Sequence, residues 1–282
     1  VSAKKNFRFT LTTNGSLLSD ENIPYINENF DNVVLSIDGR KIINDKMRET
    51  CNGGGSYDII LPKIRALVAA RKKNYYVRGT YTRHNTDFSA DVLHLARAGF
   101  KNISVEPVVA PSTENYSLRE EDLPKLFEEY EILSQELLKN ENRDVNFFHF
   151  EMDVTGGPCI AKRVTGCGAG SEYLAVTPSG KLYPCHQFVG DEKFLIGTLD
   201  GRLENNFTRG FSSCDVFAKP ECSRCWAKFY CSGGCIATAF YANGDIKKPD
   251  KLSCELMRKR IECALYIYTK RKTINETEEK YD

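Results

Sequence analysis

Two rhythms of apolar and polar positions take turns along residues 1–115. Short stretches alternate residue by residue, the period of a strand, and longer ones repeat every three to four residues, the period of a helix. "NFRFTLTTNG" (6–15) predicts a first, buried strand, followed by a polar helix near Asp20–Asn29. "NVVLSIDG" (Asn32–Gly39) predicts a second strand, and "SYDIILPKIRALVAARKK" a helix with Ile60, Ile64, Leu67 and Val68 on one face. "YYVRGTYT" (Tyr75–Thr82) and "NISVEPVV" (Asn102–Val109) predict the third and fourth strands. Between them lies a helix that Ser89 would cap and Gly99 would stop.

Repeated strand–helix units imply parallel strands joined by right-handed crossovers. An open sheet and a barrel both satisfy the pattern, and in either one chemistry sits at the carboxyl ends of the strands. Polar side chains collect there: Thr12, Thr13 and Asn14; Ser36 and Asp38; Arg78, Thr80, Thr82 and Arg83; Glu106. Polar strand ends are also what loops require, so each residue alone says little, and four such ends together suit a polar small molecule.

Residues 117–139 predict one long amphipathic helix. Ser117 and Glu120 have capping-box spacing, Pro124 suits an early turn, and Leu126, Phe127, Tyr130, Leu133, Leu137 and Leu138 line an apolar face. The division expected is 1–115 as a strand–helix domain, 116–150 as a bridging helix and linker, and 151–282 as a second domain. In the last, "EYLAVTPSGKLYPCHQF" reads as a hairpin and "LSCELMRKRIECALYIY" as a helix.

The 39 basic and 38 acidic residues leave a net charge of +1, which argues against a dedicated nucleic-acid binder. No apolar run approaches the roughly 18 residues of a membrane span, and no export signal opens the chain. A reducing, cytoplasmic setting is expected. The chain opens on Val1, not Met, and is expected to begin inside a longer protein.

Eleven cysteines change the picture, because ten of them lie at or after Cys159. Reduced thiols clustered in a cytosol most often hold metal. Cys222, Cys225, Cys231 and Cys235 follow the spacing C-x2-C-x5-C-x3-C, with Cys254 beyond and Cys167 and Cys185 upstream. Zinc sites of two C-x2-C pairs use wider separations, and seven thiols are too many for one zinc and one short for two. Iron–sulfur clusters also take thiolates at short spacings. Trp226, Phe229 and Tyr230, interleaved among the cysteines, would shield such a cluster from water or simply pack a core.

The seven-cysteine pattern, C-x9–15-G-x4-C, then C-x2-C-x5-C-x3-C, then C, resembles the SPASM domain, an auxiliary-cluster module of many radical S-adenosylmethionine enzymes. "CGAGSEYLAVTPSGKLYPCHQF", "CWAKFYCSGGC" and "CELMRKRIECAL" look most like SCIFF maturases, which install thioether crosslinks in a cysteine-rich ribosomal peptide. The resemblance implies an α/β fold: the carboxyl part of a partial (β/α)6 barrel, then a SPASM domain with a hairpin and helices. It implies that Cys222, Cys225, Cys231 and Cys254 hold an outer 4Fe–4S cluster. Cys167, Cys185 and Cys235 would hold an inner one whose fourth site stays open for a substrate thiolate, unless Cys159 or Cys214 closes it. Ser36 and Arg78 would meet S-adenosylmethionine, with Asp38, Asn14 and Thr12 as further cofactor-binding candidates.

His186, directly after Cys185, would tune the inner cluster or act as a catalytic base. The Cys-x3-Cys-x2-Cys loop of the catalytic cluster and the Gly-Gly-Glu-Pro segment are absent from this chain, and the family places both on earlier strands. The implied reaction is abstraction of hydrogen from an acceptor carbon by a 5′-deoxyadenosyl radical, followed by attack of a substrate cysteine sulfur on that carbon. Implied partners are a ribosomal precursor peptide and an electron donor such as flavodoxin or ferredoxin, with no nucleic acid and no membrane. The rivals are carbon–carbon crosslinking, epimerisation or formylglycine formation on the same scaffold, a non-catalytic zinc module, and a scaffold that uses clusters only for electron transfer.

Overall fold

The computed structural model describes residues 6–153, 160–201 and 210–278, with side chains 160–162 and 274–278 left aside. Two compact units emerge: Val1–Val108 with Asn115–Glu151 and Cys263–Asp282, and Val109–Glu114 with Met152–Glu262.

The first unit is built on five parallel strands: β1 (Thr10–Thr13), β2 (Asn32–Ser36), β3 (Asn74–Tyr81), β4 (Asn102–Pro107) and β5 (Asn146–Phe147). They pair in the order β1-β2-β3-β4-β5. Each strand bonds the next one in sequence and the order never reverses, so the alternatives left by the pattern resolve toward part of a barrel. The connecting helices are α1 (Ile23–Asn29), α2 (Lys41–Met47), α3 (Tyr57–Ala69), α4 (Phe88–Arg97) and α5 (Leu123–Glu136).

Alternation along the strands sorts the side chains onto two faces. Val33, Leu35, Val77, Ile103 and Val105 are wholly buried, as are Ile64 and Leu67 of α3 and Val92 and Leu95 of α4. Each such side chain contributes about 1.5–3 kcal/mol by leaving water. The opposite face carries Val34 and Ser36, Tyr76, Arg78 and Thr80, and Ser104 and Glu106. The register sets Ser36 beside Arg78, Arg78 beside Ser104, and Thr80 beside Glu106.

Several boundaries differ from the sequence reading. The first strand is four residues long and half-exposed rather than buried, with Phe7 70% and Phe9 57% exposed. Among the described residues β1 has a neighbour on one side only, so little covers it. Ser89 lies inside α4, which Asp87 precedes, and its hydroxyl is spent on Glu129. α5 starts at Leu123, after a short turn in which the Asp122 carboxylate accepts from the Arg119 amide at 2.8 Å. Pro124 near the start of α5 lacks an N–H that an interior helical position would need. α5 packs within the first unit, where Tyr130 meets Phe88 edge-on with ring centres 4.7 Å apart.

The second unit holds a three-stranded antiparallel sheet: β6 (Ala175–Val176), β7 (Lys181–Tyr183) and β8 (Gly197–Thr198). The hairpin of the sequence reading is β6–β7, and its turn is closed by the Gly180 amide donating to the Thr177 carbonyl at 2.9 Å. The helices are α6 (Ile160–Thr165), α7 (Pro220–Ser223), α8 (Lys228–Cys231), α9 (Ile236–Asn243) and the start of α10 (Lys251–Glu278), whose residues from Cys263 on belong to the first unit. A core of Tyr183, Phe188, Phe194, Phe211 and Ile236 packs with Cys185 and Cys214. Phe188 and Phe194 lie 4.1 Å apart between ring centres.

Candidate functional site

In the first unit the carboxyl ends of the strands gather the small-molecule candidates. Arg78 Nη2 donates to Glu106 Oε2 at 2.6 Å. Glu106 in turn stands 3.4 Å from the Ser104 hydroxyl, which lies 3.3 Å from His149 Nε2. Arg78 is therefore one end of a polar chain, Arg78–Glu106–Ser104–His149, on the face away from the helices. Ser36 sits next to Arg78 in register, and its hydroxyl has no hydrogen-bond partner among the described residues. Tyr76, one pleat back on the same face, meets Phe148 edge-on at 5.3 Å.

Asp38 is placed differently. It is 2% exposed. Its carboxylate accepts from Arg48 Nε at 2.8 Å, from Arg48 Nη2 at 2.9 Å, and from the Thr80 amide at 2.9 Å. A carboxylate so engaged fixes the loop after β2 to β3 and has little left to offer a ligand. That loop is pinned a second time by Arg40, whose guanidinium spans Asp87 and Asp91 at 2.7–2.8 Å. The pairing holds Arg40 well above its ordinary range and Asp87 below the usual carboxylate range, in both cases chiefly through the side-chain hydrogen bonds. Gly39 between them has φ +129°, and a Cβ there would stand 2.3 Å from the Asp91 Cβ. No other residue fits that position.

Thr12 lies exposed on β1. Asn14, just past the strand, is exposed, and its side-chain oxygen is held in its own turn by the Ser16 amide at 3.1 Å and the Ser16 hydroxyl at 2.8 Å.

In the second unit the thiols fall into two groups. Cys222 on α7, Cys225 just after it, Cys231 at the end of α8 and Cys254 in the first turn of α10 line one pocket of ≈ 420 Å³, part of it open to solvent. Glu221, Ala227, Lys228, Gly233, Met257 and Arg258 complete it. The backbone makes this possible through a left-handed run directly after Cys231: Ser232 at φ 58°, Gly233 at 83° and Gly234 at 72°. Three such residues in succession turn the chain sharply between Cys231 and Cys235 and aim the Gly233 and Gly234 amides at the Cys231 sulfur. Burial pushes the thiols of Cys222 and Cys231 up, and that of Cys254 up to about 11.

Cys167, Cys185 and Cys235 form the second group. Cys185 is buried and its thiol is pushed up by that burial; its sulfur faces the amides of Gln187 and Phe188, and it interacts with Cys235 and Cys167. Cys214 does not join them. Its Sγ donates to the Ile246 carbonyl at 3.1 Å, and burial pushes its thiol up, against the pull of Lys219. Cys159 lies outside the described residues. His186 is exposed beside Cys185, its Nδ1 3.2 Å from the Tyr173 hydroxyl.

As they stand, no three Cys, His, Asp or Glu side chains among the described residues are close enough to share one metal ion. Trp226, Phe229 and Tyr230 do not line the thiol pocket; they are 54%, 38% and 39% exposed. The reading of these aromatics as a shield or as core packing is corrected: all three are exposed, and Ala227 and Met257 are the apolar side chains that line the pocket. The reading also missed Arg48, Ser104 and Lys219. Only the Arg48–Asp38 interval of ten residues across a loop offered any signal, and a weak one.

No family model matches the chain. It is 25% identical over 250 residues to the cysteine-type anaerobic sulfatase-maturating enzyme of Clostridium novyi, covering 82% of this chain and 64% of that protein. It is 24% identical over 226 residues to the mycofactocin maturase MftC of Mycobacterium ulcerans, covering 77% and 59%. The solved structure of native anSMEcpe with bound AdoMet and Kp18Cys peptide superposes with a TM-score of 0.76 at 21% identity, covering 96% of this chain and 77% of that one. The fold is thus a partial (β/α) barrel followed by a SPASM-like domain, as in anSMEcpe, and the chain is similar in sequence to sulfatase-maturating and mycofactocin-maturing enzymes. The chain spans about 64% and 59% of the length of the two enzymes it matches.

Proposed function

We propose that the protein is a radical S-adenosylmethionine maturase that joins a cysteine sulfur of a ribosomally made peptide to a carbon of another residue, forming a thioether. The observation that carries the reading is the arrangement of the seven patterned cysteines. Four line one pocket and three others interact apart from them, with Cys214 turned elsewhere. Four thiols facing one pocket are the donor set that iron–sulfur groups use.

In this reading Cys222, Cys225, Cys231 and Cys254 hold one 4Fe–4S group. Cys167, Cys185 and Cys235 hold a second and leave one position for the thiolate of the peptide. Bound there, the groups supply one-electron transfer and a soft Lewis acid for sulfur, and S-adenosylmethionine supplies the hydrogen-abstracting radical. The chain's own residues bind and orient. Arg78, steered by Glu106, presents its guanidinium to the methionine carboxylate or the ribose, and Ser36 adds a hydroxyl beside it. The Gln187 and Phe188 amides face the Cys185 sulfur and would donate to it once it carries the group, partly offsetting the burial that pushes its thiol up. His186, tethered to the Tyr173 hydroxyl, can hold a proton next to that sulfur. A flavodoxin or ferredoxin in a reducing cytoplasm would supply electrons. No helix among the described residues is long and apolar enough to cross a membrane.

A second reading, oxidation of a cysteine or serine to formylglycine, is favoured by the similarity to a sulfatase-maturating enzyme. Mass spectrometry of peptide treated with the full-length, cluster-loaded protein decides between them. Thioether formation removes two hydrogens and one alkylatable thiol per crosslink. An aldehyde that reacts with a hydrazide would establish formylglycine instead, and an unchanged peptide would refute both.

A further inference from the structure

The mechanism above gives no task to Lys219, yet it is among the most deeply buried side chains of the protein, at 1% exposure. It stands directly before α7, three residues ahead of Cys222. Its Nζ donates to the Gly233 carbonyl at 2.7 Å. Gly233 itself lines the four-thiol pocket, and a Cβ built on it would meet the Lys219 Nζ at 3.5 Å. The same ammonium lies near enough to Cys214 and Cys222 to pull against the burial that pushes both thiols up. Among the described residues no carboxylate pairs with it.

A buried ammonium without a carboxylate is costly unless another negative charge lies close by. The thiols of the pocket are the groups placed to supply one. Two other cations line the same pocket, but each is engaged and partly open to water. Arg258 pairs with Glu255, and Lys228 donates to the Ser223 carbonyl at 2.7 Å. Solvent screens these two, whereas Lys219 acts through protein.

We propose that Lys219 is the resident counter-cation of the four-thiol pocket and sets the reduction potential of the iron–sulfur group held there. The inference rests on the reading of that pocket given under Proposed function. Reduction adds a negative charge, and an unscreened positive charge beside it favours the reduced form, so Lys219 raises the potential. The Gly233 carbonyl is its positioning partner: that hydrogen bond fixes the ammonium beneath the turn that follows Cys231.

The test is a redox titration, followed by electron paramagnetic resonance, of the full-length protein with its clusters reconstituted, comparing wild type with Lys219→Gln and Lys219→Met. Gln keeps a donor for Gly233 and removes the charge; Met removes both. The expected result is a fall in the midpoint of one cluster by a tenfold shift in its reduction equilibrium, about 59 mV for one electron, in both variants. The other clusters keep their midpoints and iron content stays at the wild-type level. Unchanged midpoints in both loaded variants would overturn the proposal. If the neutral variants fail to take up iron, Lys219→Arg must restore uptake, and failure of Arg to do so would overturn it as well. Failure of the wild-type protein to bind an iron–sulfur group at Cys222, Cys225, Cys231 and Cys254 would instead refute the reading of the pocket.

Discussion

Arg78 on β3 and Glu106 on β4 are joined at 2.6 Å across the face of the sheet that the helices leave uncovered. Neither is directly opposite the other. The register sets Arg78 against Ser104 and Glu106 against Thr80, so the pair is diagonal. With side-chain exposures of 41% and 32%, the pair is a solvent-facing arrangement and contributes little to stability. Its consequence is positional: Glu106 restricts where the guanidinium points and leaves Arg78 other N–H groups for a ligand.

Removal of Arg78 therefore weakens ligand binding more than folding. Arg78→Ala is expected to lower the affinity of the full-length protein for S-adenosylmethionine about 10- to 100-fold, the loss of one or two charged hydrogen bonds. Ser36→Ala costs about three- to tenfold on the same scale. Equilibrium dialysis measures both, and unchanged affinity in Arg78→Ala would remove this face from the cofactor site.

Asp38 and Arg48 answer to a different measurement. Asp38 is buried and held by Arg48 and the Thr80 amide, so Arg48→Ala strands a buried carboxylate. Breaking a pair of this kind costs about 3–5 kcal/mol. Chemical denaturation should show that loss in the first unit, and a variant as stable as wild type would mean that the carboxylate is not structural.

His94 carries a pH dependence. Burial lowers its pKa, and its Nε2 shares a hydrogen bond with the Tyr57 hydroxyl at 2.5 Å. The folded state thus binds its proton less readily than the unfolded chain. This part of the stability is complete above the unfolded value of about 6.5 and is lost as pH falls toward the lowered folded value. Thermal unfolding between pH 8 and pH 5 should show a steeper decline for wild type than for His94→Gln. Parallel declines would contradict the assignment.

Cys214 and Cys235 separate packing from ligation. Cys214 is buried and bonded to the Ile246 carbonyl, so Cys214→Ser should leave iron content unchanged and alter stability by about 1 kcal/mol or less. Cys235→Ser should lower iron and sulfide. Loss of iron in Cys214→Ser would make Cys214 the fourth ligand of the inner group.

The strand–helix alternation was legible because its signal is local: Val33, Leu35 and Val77 alternate with polar neighbours, and Ile60, Ile64 and Leu67 recur at helical spacing. α2 escaped the reading because Ile42 is 77% exposed and presents no apolar face to recognise. β5 escaped because two residues are too few for any periodicity. The thiol grouping was legible only through the spacing of the cysteines and the family it resembles. Lys219 was invisible, since nothing in "FAKPEC" distinguishes a lysine that folds inward from one in water. Burial of a charge is a property of the tertiary fold. The aromatics between the cysteines misled for the same reason: their composition fits a shield, whereas the fold leaves Trp226, Phe229 and Tyr230 exposed.

The most direct test is the iron and acid-labile sulfide bound per chain after anaerobic reconstitution of the full-length protein, in wild type, Cys222→Ser/Cys225→Ser and Cys167→Ser/Cys185→Ser. Each double variant is expected to lose about four iron and four sulfide relative to wild type, with the other group retained. Zinc at one or two per chain without sulfide, or equal iron in all three proteins, would contradict the account.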